Sequence, residues 1–244
     1  MDKNEFISKL TAAFAKNGLS KLLSREKSEK FFALTERLLT ENEKYNLTAI
    51  TDVDMIILNH YVDCATLAAR LPKGISIIDV GCGAGFPTLP VAILRDDLKI
   101  VAADATAKRV NYVKETAGLL GLSGVVTVVM RAEDGARLPE YREKFDVATA
   151  RAVANMRVLA ELCLPFVKVG GKMIAMKGKN AEFELKEAKK ALAILGGKDP
   201  LIENIELKSD SGECFTHPLV TVEKKAKTPP VYPRPFAQIS KKPL

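Results

Sequence analysis

Ile75-Ser76-Ile77-Ile78-Asp79-Val80-Gly81-Cys82-Gly83-Ala84-Gly85-Phe86-Pro87 is the stretch whose reading decides the fold. Residues 75 to 80 are apolar apart from Ser76 and Asp79, the composition of a strand buried on both faces of a parallel sheet. Glycines at 81, 83 and 85 follow. They let the backbone turn tightly and approach a ligand with no Cβ in the way. Similar apolar runs recur at 99 to 103, 125 to 130, 145 to 149 and 172 to 176, and between them lie helical patterns at about 88 to 95, 107 to 120, 154 to 168 and 181 to 195. Regular alternation of strand and helix predicts an open, mainly parallel α/β sheet. Residues 201 to 208 and 217 to 223 read as two further strands forming an antiparallel edge.

Upstream of residue 71 the period is helical. Phe6, Leu10 and Phe14 recur every four residues before Gly18, and Phe31, Leu34 and Leu38 line one face of a helix starting near Ser24. Thr51 and Asp54 have capping-box spacing ahead of Ile56, Ile57 and Tyr61, so a third helix is expected to run to about Arg70. The chain thus divides into a small N-terminal helical region at 1 to 70, a sheet domain at 71 to 223 and a basic tail at 224 to 244. Five of twelve prolines fall in the last sixteen residues, which predicts an extended tail rather than a helix.

Composition excludes several classes. The 244 residues are 47% hydrophobic and 27% charged, which argues against disorder and fibrous repeats. Cys64, Cys82, Cys163 and Cys214 form no CxxC pair and have no His at ligand spacing, so neither a disulfide framework nor a metal site is expected. The charged N-terminus and the lack of a long apolar run predict a cytoplasmic chain outside the membrane. The net charge is +7, yet residues 224 to 244 carry six basic side chains and no acid, leaving the body nearly neutral. A basic tail is either a solvated segment or a footprint for a polyanion such as RNA.

In an open parallel sheet a ligand lies at the carboxyl ends of the strands. A dinucleotide fingerprint would need glycine at 86, where this chain has Phe86. The GxGxG turn behind Asp79 resembles instead the first motif of class I S-adenosylmethionine methyltransferases, a Rossmann-like fold. Asp104 ends the next strand, where a carboxylate can accept hydrogen bonds from both ribose hydroxyls of an adenosine. Arg131-Ala132-Glu133-Asp134 ends the third. There Ala132 is small enough to approach an adenine ring, and Glu133 or its amide can meet the amino group. Taken singly, Asp104 also reads as a helix N-cap, and Glu133 and Asp134 as first-turn charges.

The fourth strand and its sequel, Phe145 to Arg151, lack the Asp/Asn-Pro-Pro-aromatic pattern of enzymes that methylate exocyclic amines. Cys163 precedes Leu164-Pro165 inside an apolar helix rather than following proline in a turn, which suits packing better than nucleophilic catalysis. A lone-pair acceptor such as a ring nitrogen remains. It has no proton to remove, so alignment and electrostatics are enough and no general base is required. Arg151 is the candidate catalytic residue, since a guanidinium there can pair with phosphate or stack on a base; a plain surface arginine is the competing reading. Lys177-Gly178-Lys179 forms a second basic turn at the same sheet edge.

These residues together resemble the bacterial small-subunit ribosomal RNA methyltransferase G family, also called glucose-inhibited division protein B. The resemblance rests on Tyr45 to Ile50, His60-Tyr61-Val62-Asp63, Asp79 to Pro87, Asp104 with Lys108-Arg109, Arg131-Ala132-Glu133, Thr149 to Ala152, Gly170-Gly171, Lys177-Gly178, Tyr232-Pro233-Arg234 and Lys241 to Leu244. It implies methyl transfer from S-adenosylmethionine to guanine N7 in 16S ribosomal RNA, with the RNA or the small subunit as partner and a monomeric enzyme. It also implies that Gly81, Phe86, Ala132, Glu133 and Arg151 bind the cofactor, alongside Asp79, Gly83, Gly85 and Asp104 from the loop and strand ends. Lys177, Lys179, Arg234, Lys241 and Lys242 are the expected RNA contacts. Where the family commonly has Ser this chain has Ala105, and Arg234-Pro235-Phe236-Ala237 replaces a tail that more often reads Arg-Lys-Pro-Gly. His60 and Asp63, one helical turn apart, either join the helical region to the sheet or line a substrate cleft. Tyr45-Asn46 is either a helix end or an RNA contact.

A methyltransferase for a small metabolite and an RNA-binding assembly factor that uses the nucleoside structurally are the competing functions. Removal of 224 to 244 is expected to weaken RNA engagement more than cofactor binding.

Overall fold

A computed structural model describes residues 2 to 210 and 212 to 244. Seven strands form one sheet: β1 (Ser76–Val80), β2 (Lys99–Asp104), β3 (Val125–Val129), β4 (Phe145–Arg151), β5 (Val167–Met176), β6 (Leu201–Lys208) and β7 (Cys214–Glu223). Their spatial order is β3-β2-β1-β4-β5-β7-β6. The first five are parallel, while β7 lies antiparallel between β5 and β6. The chain therefore winds outward from β1 in one direction and then from β4 in the other. The crevice between β1 and β4 is the switch point where α/β sheets bind ligands.

Ten α-helices are described: α1 (Lys3–Lys16), α2 (Arg25–Tyr45), α3 (Val53–Ile56), α4 (Asp63–Ala68), α5 (Thr88–Leu94), α6 (Ala107–Leu119), α7 (Ala132–Gly135), α8 (Met156–Cys163), α9 (Ala181–Ile194) and α10 (Phe236–Lys241). Capping chemistry sets the N-terminal ones. Asp2 accepts from the Glu5 amide at 2.8 Å and Ser24 from that of Lys27 at 3.3 Å. The third helix is capped by Asp52, whose Oδ1 accepts from the Met55 amide at 2.9 Å; the expected Thr51 box is not used, because the helix starts one residue later than that box requires. Asn46 closes α2 in the left-handed region at φ 48°, a conformation its short polar side chain tolerates.

Phe6, Leu10, Phe14, Phe31, Leu34, Leu38, Ile56 and Tyr61 are fully buried and belong to one apolar cluster with Ile77, Ile100 and Val147 of the sheet. The helical region shares the sheet's core. Phe31 packs 4.7 Å from Tyr61, whose hydroxyl meets Thr35 Oγ1 at 2.7 Å. Between α3 and α4 the residues Ile57–Val62 adopt a π-helical turn. Such turns are rare and frequent at functional sites, and nothing in the hydrophobic period announces this one.

Several elements differ from expectation. The helix expected to run to 168 stops at Cys163 and passes through a 3-10 turn, Leu164–Phe166, into β5, which starts five residues before its expected beginning. Pro165 explains the stop, since it cannot extend the α-helical ladder. Strand β3 lies at the sheet edge, with Val126 and Val129 at least half exposed. The tail is not wholly extended: α10 forms after Pro235, whose own φ of −55° suits a helix start.

That tail is docked. Arg142 donates to the carbonyls of Thr228, Pro229 and Tyr232, Arg137 to those of Val231 and Pro233, and Arg157 to those of Pro243 and Leu244. Lys224 is fully buried, with Nζ bonded to the Leu164 and Val167 carbonyls and to Thr228 Oγ1, and 3.3 Å from Glu143. Among the described residues no helix is long and apolar enough to cross a membrane.

Candidate active site

The glycine loop leaves β1 with Gly81, Gly83 and Gly85 at φ of 74°, 54° and 86°, values that exact a cost from any residue with a Cβ. A Cβ on Gly81 would lie 2.8 Å from Val153, and one on Gly85 would lie 2.5 Å from Leu89. Position 81 is thus closed by the β4 sequel and position 85 by α5. The amides of Gly81 and Cys82 donate to the Ala103 carbonyl at 2.8 and 3.0 Å, which ties the loop to the end of β2.

Asp104 completes that tie. Its Oδ2 accepts from the Gly83 amide at 3.0 Å and its Oδ1 from the Thr106 amide at 2.8 Å. Two lone-pair positions remain on the carboxylate. The residue is buried at the floor of a cleft of about 280 Å³ that it shares with Val80, Gly81, Ala105, Arg109, Met130, Arg131, Ala132, Glu133, Val153, Leu162, Phe166 and Phe236 among others. Asp104, Ala132 and Glu133 come together here from the ends of β2 and β3, with Gly81 from β1. Polar groups and a short apolar wall in one crevice suit a nucleoside. Ala132 and Glu133 open the short helix α7, with Arg131 before them.

Asp79 does not line this cleft. It is fully buried, and its Oδ2 accepts from the Thr88 hydroxyl at 2.6 Å and from the Thr88 amide at 3.3 Å. Its other oxygen has no partner among the described residues. Burial pushes its pKa up to about 6, against the lowering effect of the Thr88 bonds. Asp79 fixes the start of α5 against β1.

Phe86 and Arg151 lie beside the glycine loop rather than in the cleft lining. The Phe86 ring stacks on His60 at 4.3 Å, with the Arg151 guanidinium 5.1 Å from its centroid. Arg151 donates to the Asn59 carbonyl at 2.9 Å, sits 3.4 Å from Asp63 Oδ2 and lies 3.1 Å from His60 Nδ1. Asp63 is also 3.1 Å from His217 of β7. The π-helical turn, the end of β4 and β7 are therefore held together through His60 and Asp63, which join the helical region to the sheet.

The expected RNA contacts divide. Lys179, Lys241 and Lys242 are exposed. Lys177 is engaged, at 2.7 Å from Glu184 and 2.8 Å from the Ala154 carbonyl. Arg234 is bidentate to fully buried Glu161 at 2.9 and 2.6 Å, so both cations are committed inside the molecule. Arg109 and Arg131, given no role from the sequence, are more than half exposed and line the cleft. Lys108, likewise given no role, lies 4.8 Å above the Tyr45 ring. Lys108 and Arg109 follow Asp104 closely, and that proximity was the available signal.

Strand order, glycine turn and the acid at the end of β2 make this a class I S-adenosylmethionine-dependent methyltransferase. Its fold is shared with an S-adenosylmethionine-dependent O-methyltransferase from Thermotoga maritima, at a TM-score of 0.55 and 16% identity over 78% of this chain and 72% of that one. A geranyl diphosphate methyltransferase solved with SAM superposes at a TM-score of 0.51 and 16% identity, covering 67% and 85% of the two chains. Residues 27 to 211 match the family described as rRNA small subunit methyltransferase G, and the chain belongs to that family. A protein named ribosomal RNA small subunit methyltransferase G from Clostridium perfringens strain 13 is 46% identical over 223 residues, 91% of this chain and 92% of its own length. One of the same name from Lactobacillus delbrueckii subsp. bulgaricus (strain ATCC BAA-365 / Lb-18) is 44% identical over 226 residues, 91% of this chain and 93% of its own.

Proposed function

We propose that this chain transfers a methyl group from S-adenosylmethionine to N7 of a guanine in 16S ribosomal RNA, acting as a cytoplasmic monomer on the small-subunit RNA or particle. The observation that carries the cofactor half is Asp104, a cleft carboxylate with two lone-pair positions left after its bonds to Gly83 and Thr106. The RNA half rests on family membership and on the names of the relatives.

The residues fit the cofactor. Gly81 and Gly85 hold a turn that a Cβ would clash with, Asp104 is placed for the ribose hydroxyls, and Ala132 with Glu133 for the adenine. When bound, S-adenosylmethionine supplies an electrophilic methyl on a sulfonium. Guanine N7 offers a lone pair and no proton, so the protein need only align the acceptor and hold charge. Arg151 supplies a fixed cation at the end of β4, already oriented by Asn59, His60 and Asp63. Lys179, Lys241 and Lys242, with Arg109 and Arg131 at the cleft, offer exposed cations to RNA phosphates.

The test is nucleoside mass analysis of small-subunit RNA from cells with and without the gene. A 7-methylguanosine that disappears with the gene and returns with it is expected. Unchanged 7-methylguanosine overturns the assignment.

A further inference from the structure

The basic tail enters the sequence reading as an RNA contact, but its structure gives it a second place. Phe236, the first residue of α10, lines the same cleft as Asp104, Ala132 and Glu133. The residue is 42% exposed, so packing in the protein covers only part of it. Three residues on, Ile239 is fully buried and forms a small apolar cluster with Val158 and Leu162 of α8, against which Ala132 also packs. One side of α10 is thus seated on the helix that backs the adenine turn, and Phe236 follows from that seating. Upstream, Arg234 locks the approach through its two bonds to Glu161. Downstream, Arg157 holds the Pro243 and Leu244 carbonyls. The helix is fixed at both ends and from below.

The cleft lining is then of two unlike kinds. Asp104 and Glu133 present carboxylates, while Ala132, Leu162, Phe166 and Phe236 present apolar surface. A purine has polar edges and a flat apolar face, and an aromatic ring is the side chain best matched to that face. We propose that Phe236 is a cofactor-binding residue, its ring forming the outer apolar wall of the purine end of the cleft, so that the C-terminal tail is part of the cofactor site. The proposal rests on the methyltransferase reading above. Because α10 also carries Lys241, the same six residues join the cofactor cleft to a cation offered to RNA.

The full-length chain, Phe236→Ala and Phe236→Leu are titrated calorimetrically, without RNA, with S-adenosylhomocysteine and with 5′-methylthioadenosine, which lacks the amino-acid part. Loss of base–aromatic stacking weakens both ligands by a similar factor of about tenfold in Phe236→Ala. Phe236→Leu, which keeps apolar area without a π-face, falls between. Gln238→Ala, an exposed change on the same helix, keeps wild-type affinity, which separates the ring from the helix. Melting of the ligand-free variants reports folding; if Phe236→Ala melts early, Phe236→Leu carries the comparison. Affinity within twofold of wild type in a folded Phe236 variant for both ligands overturns the proposal, as does loss for S-adenosylhomocysteine alone. A wild-type chain that binds neither ligand overturns the methyltransferase reading itself.

Discussion

Nη2 of Arg151 lies 3.1 Å from Nδ1 of His60, while Nε2 of the same ring lies 3.1 Å from the Thr48 hydroxyl. A guanidinium can only donate, so Nδ1 is the unprotonated nitrogen and the proton sits on Nε2, facing Thr48. Burial, with the Arg151 charge second, pulls the His60 pKa down from 6.5 to about 4.

A depressed histidine contributes stability that is whole above its unfolded pKa and is lost as pH falls through the folded one. Between pH 6.5 and 4 the native state is therefore penalised for keeping His60 neutral, by about 3 kcal/mol when the shift is fully expressed. His60→Gln, which retains a polar group but cannot charge, should flatten this part of the stability profile. Urea unfolding of both proteins at several pH values in that window measures it; parallel profiles would contradict the neutral imidazole.

Asp79 runs the other way. Its pKa is raised by burial to about 6, so its contribution is greatest below the unfolded value of 3.8 and is lost as pH rises through 6. Asp79→Asn removes this dependence, worth about 3 kcal/mol across the interval, while keeping an acceptor for the Thr88 hydroxyl. Its unfolding free energy relative to wild type should rise from pH 4 to pH 7. The opposite slopes of the two variants separate them in one experiment.

Gly81→Ala places a methyl group 2.8 Å from Val153 at a φ of 74°. The backbone strain alone is about 1–2 kcal/mol, and relief would push the β4 sequel away from the cleft. Melting should fall modestly and S-adenosylhomocysteine affinity should fall at least tenfold. A variant that binds normally would show that the loop is not part of the site.

Lys224 is the first tail residue and also a fully buried cation. Burial lowers its pKa to about 8, with Glu143 opposing that shift. Lys224→Ala removes the cation beside Glu143, which keeps only its bond from the Thr228 amide, and the donor to the Leu164 and Val167 carbonyls and to Thr228 Oγ1; breaking such a buried pair costs about 3–5 kcal/mol. Thermal melting of this variant should drop by several degrees or more. No truncation of the tail reports on RNA binding alone, since removal from 224 cuts into the core and removal after Thr228 still takes Arg234 from buried Glu161 and Phe236 from the cleft.

The parallel sheet and the ends of its strands were legible because each strand carries a run of apolar residues, and because Gly81, Gly83 and Gly85 occupy backbone conformations closed to other residues. That Asp104, Ala132 and Glu133 share one cleft was legible for the same reason: their places follow from where strands end. Chemistry that depends on long-range pairing was not legible. No local pattern says that Arg234 meets Glu161, 73 positions away in the sequence, or that Lys177 is taken by Glu184. Both were read as free cations. The proline content of the tail pointed to extension, yet Pro235 starts α10 and Ile239 holds it by a tertiary contact the sequence does not display.

Arg137, Arg142 and Arg157 grip the tail by its carbonyl oxygens, which every amino acid possesses. The path of the segment is thereby uncoupled from most of its side chains. Drift in this stretch, such as the change to Pro235-Phe236-Ala237, can alter what the tail presents to a ligand while leaving its course over the surface intact.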